Sequence, residues 1–142
     1  MEQSYNVIKR VATLTEYTEL CTAVGWRDFM NFEAAEGSLA KSVFGVIVEW
    51  KGETIGMGRV VGDGSIYFYI QDIAVHPEHQ GKGVGSLIMD AIRAHLAAHA
   101  PEKAFIGLFS AQGKESFYNK YGFNKHDGLT GMFGVMHAGE IQ

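Results

Sequence analysis

At 142 residues, with 46% hydrophobic and 20% charged side chains, the chain has the length and composition of one soluble globular domain, residues 1–142. Its net charge of -4 and sequence pI near 5.8 exclude the clustered basic footprint of a nucleic-acid groove and suit a neutral or cationic small molecule. Cys21 is the sole cysteine, so no internal disulfide forms; with no signal-peptide core and no run of about 18 apolar residues, the expectation is a cytoplasmic protein without a membrane partner.

In chain order, Tyr5 to Val11 reads as a short strand. Thr13 or Thr15 then caps a helix whose apolar stripe is Leu14, Tyr17, Cys21 and Val24 and which stops at Gly25. Trp26 to Lys41 is irregular and reads as a short helix with a mobile loop. Ser42 to Trp50 and Glu53 to Val61 are strands joined at Lys51-Gly52, a hairpin, and Gly62-Asp63-Gly64 turns the chain into a long strand from Ile66 to Val75. Past the next glycines, Val84, Leu87, Ile88, Ala91, Ile92 and Leu96 recur at the spacing of one buried helix face. Ala104 to Phe109 is a buried strand, Gly113 to Tyr121 a short helix, and Phe123 with Met132 to Met136 the terminal strands. Hairpins ahead of a strand–helix–strand unit predict an α/β (α+β) fold with a mixed sheet, antiparallel first and parallel at the crossover.

The segment Gln80-Gly81-Lys82-Gly83-Val84-Gly85-Ser86 lies between the long strand and the clearest helix. Unpaired N–H groups and the positive end of the macrodipole make a helix N-terminus attractive to phosphate, and glycines let the backbone approach it. A Walker loop fails, because Lys82 is followed by Gly83 and has no glycine five residues before it. The Gly-x-Gly-x-x-Gly dinucleotide pattern would end on Ser86 and sits after several strands rather than after the first. Gln80, Gly83 and Gly85 do match a third pattern, Gln/Arg-x-x-Gly-x-Gly/Ala. With Ile73-Ala74-Val75-His76-Pro77 before it and Phe117-Tyr118-Asn119-Lys120-Tyr121-Gly122-Phe123 after it, the chain resembles the GCN5-related N-acetyltransferases (GNAT) over most of its length.

That resemblance implies a mostly antiparallel central sheet of about six to seven strands with helices on both faces, and acetyl-CoA as co-substrate without a metal. Backbone N–H groups of Gly81, Lys82, Gly83, Val84, Gly85 and Ser86 would hold the pyrophosphate. Lys82 either adds a point charge or is only solvated, and Ser86 offers a hydroxyl. Ile73, Ala74 and Val75 would form a splayed strand end that pairs with pantetheine, with a backbone N–H near Val75 as oxyanion donor. Tyr118 is at the position of the acid that serves the leaving thiolate. The family's asparagine and alanine seven and four residues before that tyrosine are Ala111 and Lys114 here, which weakens the coenzyme contact there; Lys114 either reaches a phosphate instead or sits in solvent.

An amine nucleophile has a reference pKa near 10.4, so a proton must leave it before attack. Asp72, placed by period two on the face of Ile70 and Ala74, is the candidate base, with a pKa expected to be raised in such surroundings; a water relay and a purely structural Asp72 stand beside it. Trp26, Phe29, Phe32 and Phe133 could wall an acceptor site for a small amine with an apolar part, or belong to the core. Glu33 and Glu36 could grip a cation. His76 and His79 lack a partner that would complete a metal site and are read as surface residues. Cys21 is read as core, which favours direct transfer to a small-molecule amine over an acetyl-enzyme. An acyl-CoA-sensing module without turnover, and a protein or peptide N-acetyltransferase, are the alternatives; a homodimer is compatible with either.

Overall fold

In the computed structural model, which describes residues 4–142, Thr13 is the residue that opens the first helix, α1 (Leu14–Ala23). Its hydroxyl accepts from Glu16 N at 3.1 Å while Glu16 Oε1 accepts from Thr13 N at 2.8 Å, so two helix-end donors are satisfied reciprocally. Tyr17, Leu20 and Cys21 bury the inner face. The segment read as irregular is ordered instead: a 3₁₀ turn (Arg27–Phe29) leads into α2 (Phe32–Ala40), capped by Asn31 Oδ1 accepting from Ala34 N at 3.1 Å. Phe32, Ala35 and Leu39 turn this helix toward α1.

Five strands form the central sheet, β1 (Asn6–Ile8), β2 (Phe44–Trp50), β3 (Glu53–Gly62), β4 (Tyr67–Val75) and β5 (Phe105–Gly107), in that spatial order. The first three pairings are antiparallel and β4 to β5 is parallel, the arrangement expected from hairpins followed by one helical crossover. That crossover is α3 (Val84–His99). It covers one face at close range: a Cβ on Gly58 would sit 2.6 Å from both Ile88 Cγ2 and Ile73 Cδ1. The opposite face carries α1 and α2 over Ile47, Met57 and Ala74. Helices therefore lie on both faces, and a fully buried layer including Val46, Ile47, Val48, Phe68, Ile88 and Ile92 fills the interior.

The chain divides into two compact units, the first ending at Leu108 and the second running Phe109–Gln142. The second holds α4 (Glu115–Asn119) and a hairpin of β6 (Met136–His137) and β7 (Glu140–Ile141). Ala138 and Gly139, at φ 51° and 80°, supply the doubly left-handed turn that a two-residue hairpin needs. The central sheet thus has five strands among the described residues, fewer than the six to seven expected, because the last two strands pair with each other in a separate hairpin. Phe123 and Met132 lie outside any strand, and the terminal strand is displaced to Met136 and beyond. No helix among the described residues is long and apolar enough to cross a membrane.

Candidate active site

The parallel pairing of β4 with β5 covers only Tyr67, Phe68 and Tyr69, opposite Phe105, Ile106 and Gly107. From Ile70 to Val75 that edge of β4 has no strand partner among the described residues, while its other edge stays paired to β3 through Val75↔Gly56. A half-paired strand end leaves backbone donors and acceptors for water or a ligand. Gln80 closes the elbow that follows, its Nε2 donating to Val75 O at 3.0 Å. Gly81 and Gly83, at φ 76° and 86°, adopt a conformation that L side chains rarely take, and a Cβ on either would meet nothing within 4 Å. The turn is therefore shaped by backbone conformation and opens onto free space. Gly83 is the N-cap of α3 and no side chain caps it, so the first-turn N–H groups, Ser86 among them, are available to an anion. Lys82 is exposed beside them.

His79 is a correction. Read as a surface residue, it is 6% exposed, with Nδ1 2.9 Å from Tyr5 Oη and its ring edge-on to Trp50 at 4.9 Å. Burial first, and Lys82 second, push its pKa below the ordinary histidine value. The residue just before Gln80 thus pins the base of the glycine turn to the β1–β2 side of the sheet.

Asp72 also differs from its sequence reading. Met57 pairs with Ala74 and Arg59 with Gln71, so Gly58 faces two residues of β4, a bulge, and Asp72 takes φ 57° within it. Val60, two residues beyond Gly58, pairs with Ile70, which places Ile70 on the α3 face; Ala74 belongs to the α1 side. The extra residue breaks period two, and Asp72 shares its face with Ala74 but not with Ile70. Its surroundings are not apolar either: Oδ2 accepts from Arg59 Nε at 2.8 Å and from the Tyr17 hydroxyl at 3.1 Å. Arg59 further donates through Nη1 to Ser38 O and Ser42 Oγ, and through Nη2 to Ser38 Oγ, each at 3.1 Å. A cavity of about 10 Å³ beside this network, lined by Tyr17, Met57, Arg59 and Asp72 among others, has room for about one water molecule. Burial and the Asp72 charge drive the Tyr17 phenol well above its ordinary pKa. Cys21, fully buried on the same side, has its thiol pushed up to about 11 by burial and then Asp72, so it stays a protonated core residue.

Tyr118 lies in α4 of the second unit, half-buried, its ring edge-on to Phe117 at 5.0 Å. Burial raises its pKa. Of the aromatic candidates, Trp26 and Phe32 pack against the α1 cluster, whereas Phe29 is 84% exposed. Phe133, in the second unit, is exposed and stacks edge-on against Phe109 at 5.7 Å. Glu33 and Glu36 are exposed on α2. Among the described residues no group of three metal-ligating side chains occurs.

Sequence reading overlooked Arg59, Tyr17 as a polar partner, and His79. An arginine inside the apolar run Met57-Gly58-Arg59-Val60-Val61 was the available signal, because a charge on a central strand needs a buried partner.

A family model described as an acetyltransferase (GNAT) domain matches residues 13–138. The chain belongs to the GNAT acetyltransferase family. It is 32% identical over 127 residues to an "Uncharacterized N-acetyltransferase ycf52" of Porphyra purpurea, a match covering 84% of this chain and 70% of that protein. A solved structure from meticillin-resistant Staphylococcus aureus, described as of unknown function and a "Probable Acetyltransferase", superposes with a TM-score of 0.85 at 32% identity, over 94% of this chain and 100% of that one. A GNAT family acetyltransferase of Streptococcus pneumoniae gives 0.77 at 27% identity, over 94% and 98%. The mixed sheet and its flanking helices are thus those of GNAT acetyltransferases.

Proposed function

We propose that the protein transfers acetyl from acetyl-CoA to a primary amine of a small molecule by direct attack, and that residues 1–142 act as one domain. The observation that carries the coenzyme half is the open β4 edge running through Gln80 into a left-handed glycine turn at an uncapped helix N-terminus. The family model spanning 13–138 supports the single domain.

Acetyl transfer needs a deprotonated amine, donors for the oxyanion and a proton or hydrogen bond for the leaving thiolate. In this reading Ile73, Ala74 and Val75 pair with the pantetheine arm, and a backbone N–H near Val75 serves the oxyanion. Gly81 through Ser86 bind the pyrophosphate. Tyr118 meets the sulfur. A phenol near 10 against a thiol near 8.5 already makes full proton transfer uphill by about 2 kcal/mol, and burial of Tyr118 adds to that. Tyr118 therefore donates a hydrogen bond as the C–S bond breaks. The amine loses its proton through a water relay, with the Asp72 carboxylate as the alternative base. The buried, protonated Cys21 supports direct transfer rather than an acetyl-enzyme. Phe29 and Phe133, exposed aromatics, and Trp26 and Phe32, partly buried against the α1 cluster, are the acceptor-wall candidates.

Acetyl-CoA is expected to raise the melting temperature, and Gly83→Asp to abolish the rise, since a carboxylate and a Cβ would enter a phosphate seat at positive φ. An unchanged melting curve of the wild type at millimolar acetyl-CoA would sink the coenzyme assignment. A thiol-release screen over small amines and peptides then identifies the acceptor; coenzyme binding without any acceptor would favour a sensor.

A further inference from the structure

The glycine turn has little packing of its own. A Cβ on Gly81 or Gly83 would meet nothing within 4 Å, and Lys82 between them is exposed. The position of the turn is therefore inherited from the residues at its two ends. At the far end Val84, the first residue of α3, is buried in the core. At the near end the 3₁₀ turn Pro77–His79 sends one side chain inward, that of His79. Gln80 bonds back to Val75 within the same elbow.

Two residues from the far side of the sheet hold the His79 imidazole. Asn6 pairs with Glu49, so Tyr5, just ahead of β1, comes level with Trp50 at the end of β2. The Tyr5 hydroxyl is 2.9 Å from His79 Nδ1, its ring meets the imidazole edge-on at 5.6 Å, and the Trp50 ring closes another side at 4.9 Å. One hydrogen-bond partner and two aromatic contacts fix both the place and the plane of the imidazole. The elbow backbone is anchored separately, with His76 N donating to Ile55 O at 2.8 Å. Loss of a side-chain contact thus shifts the setting of the turn without detaching it. Tyr5 also lies ahead of residue 13, where the match to the family model begins.

We propose that Tyr5 is a positioning residue of the coenzyme site: acting through His79, with Trp50 as the second wall, it sets the near end of the glycine turn that holds the pyrophosphate. The inference rests on the coenzyme reading above. Tyr5 acts at a distance, through the imidazole, and does not touch the ligand.

The test is a double-mutant cycle read by acetyl-CoA calorimetry, with thermal stability measured beside it. Tyr5→Phe, which keeps the ring and loses the hydroxyl, is expected to weaken binding by about threefold, and Tyr5→Ala and His79→Ala by about tenfold or more. The double variant Tyr5→Ala/His79→Ala should bind no worse than His79→Ala, because Tyr5 acts through that ring. His95→Ala is the control: it removes a half-buried histidine stacked on Phe44 at 4.2 Å, about three turns further along α3. It should lower the melting temperature and leave affinity within about twofold of wild type. Wild-type affinity in Tyr5→Ala overturns the proposal. So do additive losses in the double variant, or a His95→Ala loss equal to that of Tyr5→Ala, which would tie affinity to overall stability. If His79→Ala does not fold, Tyr5→Phe in the His79→Phe background decides: no further loss is expected there, and a further threefold loss overturns the route through His79. Failure of the wild type itself to bind acetyl-CoA is a different result, because it removes the coenzyme reading.

Discussion

At the scale of single residues, the candidate chemistry depends on groups whose surroundings make them unreactive by themselves. Cys21 is kept protonated by burial, and Tyr118 is moved by burial away from easy ionisation. A phenol that does not ionise is a poor proton source and a good hydrogen-bond donor. Tyr118→Phe should therefore lower kcat by about 10²- to 10⁴-fold while changing the acetyl-CoA dissociation constant by less than about threefold. Steady-state kinetics with the acceptor found in the thiol-release screen, paired with direct coenzyme titration, measures both. Equal losses in rate and affinity would make Tyr118 a binding residue.

At the scale of elements, α1 depends on its first turn. Glu16 accepts from Thr13 N, from Arg10 at 2.8 Å and from the Thr54 hydroxyl at 2.6 Å, so one carboxylate joins the helix start to β3. Its pKa falls from 4.5 to about 2, chiefly through the Arg10 hydrogen bond. A depressed acidic pKa stabilises the fold above the unfolded value, and that contribution is lost as pH falls from about 4.5 through about 2. Arg10 is 39% exposed, so screening discounts the ion-pair part. Glu16→Gln should cost about 1–2 kcal/mol at pH 7 and flatten the acid limb of stability in that window. Denaturant melts at pH 7, 4 and 3 read it; parallel acid limbs for variant and wild type would remove Glu16 as the cause.

The same scale shows why some elements were legible and others not. Thr13 and the stripe Leu14, Tyr17, Cys21 could be read because cap and period agree. In α2, Gly37 and the charged Glu33 and Glu36 hid a stripe of Phe32, Ala35 and Leu39, although Asn31 was there as a cap. Glycine turn and helix α3 were plain because backbone conformation, dipole and apolar period coincide. Asp72 was misread because alternation fails at a bulge, and nothing local in Gln71-Asp72-Ile73 marks one; the partner that fixes it, Arg59, is on another strand. His79 was misread for a similar reason, since Tyr5 and Trp50, which bury it, are distant in sequence.

For the whole molecule, stability near neutral pH depends on imidazoles kept neutral. His79 sits against Tyr5 and Trp50, with Lys82, His76, Glu78 and Glu53 as the charged groups around it. His95 stacks between Phe44 and His99, both at 4.2 Å, with Lys9 nearby. Burial is the leading cause that lowers both pKa values. When the folded pKa of a base is depressed, the unfolded chain takes up the proton first. No penalty exists above the unfolded value of about 6.5, and stability falls as pH drops from there toward the lower folded values. Urea unfolding should thus give less stability at pH 5.5 than at pH 7.5. In His79→Phe, which keeps a ring against Trp50 but cannot charge, the drop should shrink, and His95→Phe should shrink it further. Coenzyme binding separates the two sites: of the two histidines, His79 is the one next to the glycine turn, so acetyl-CoA affinity should weaken with acid in the His95 variant and lose part of that acid dependence in the His79 variant. Identical pH profiles for the two variants would mean that the elbow does not transmit the charge of His79 to the turn.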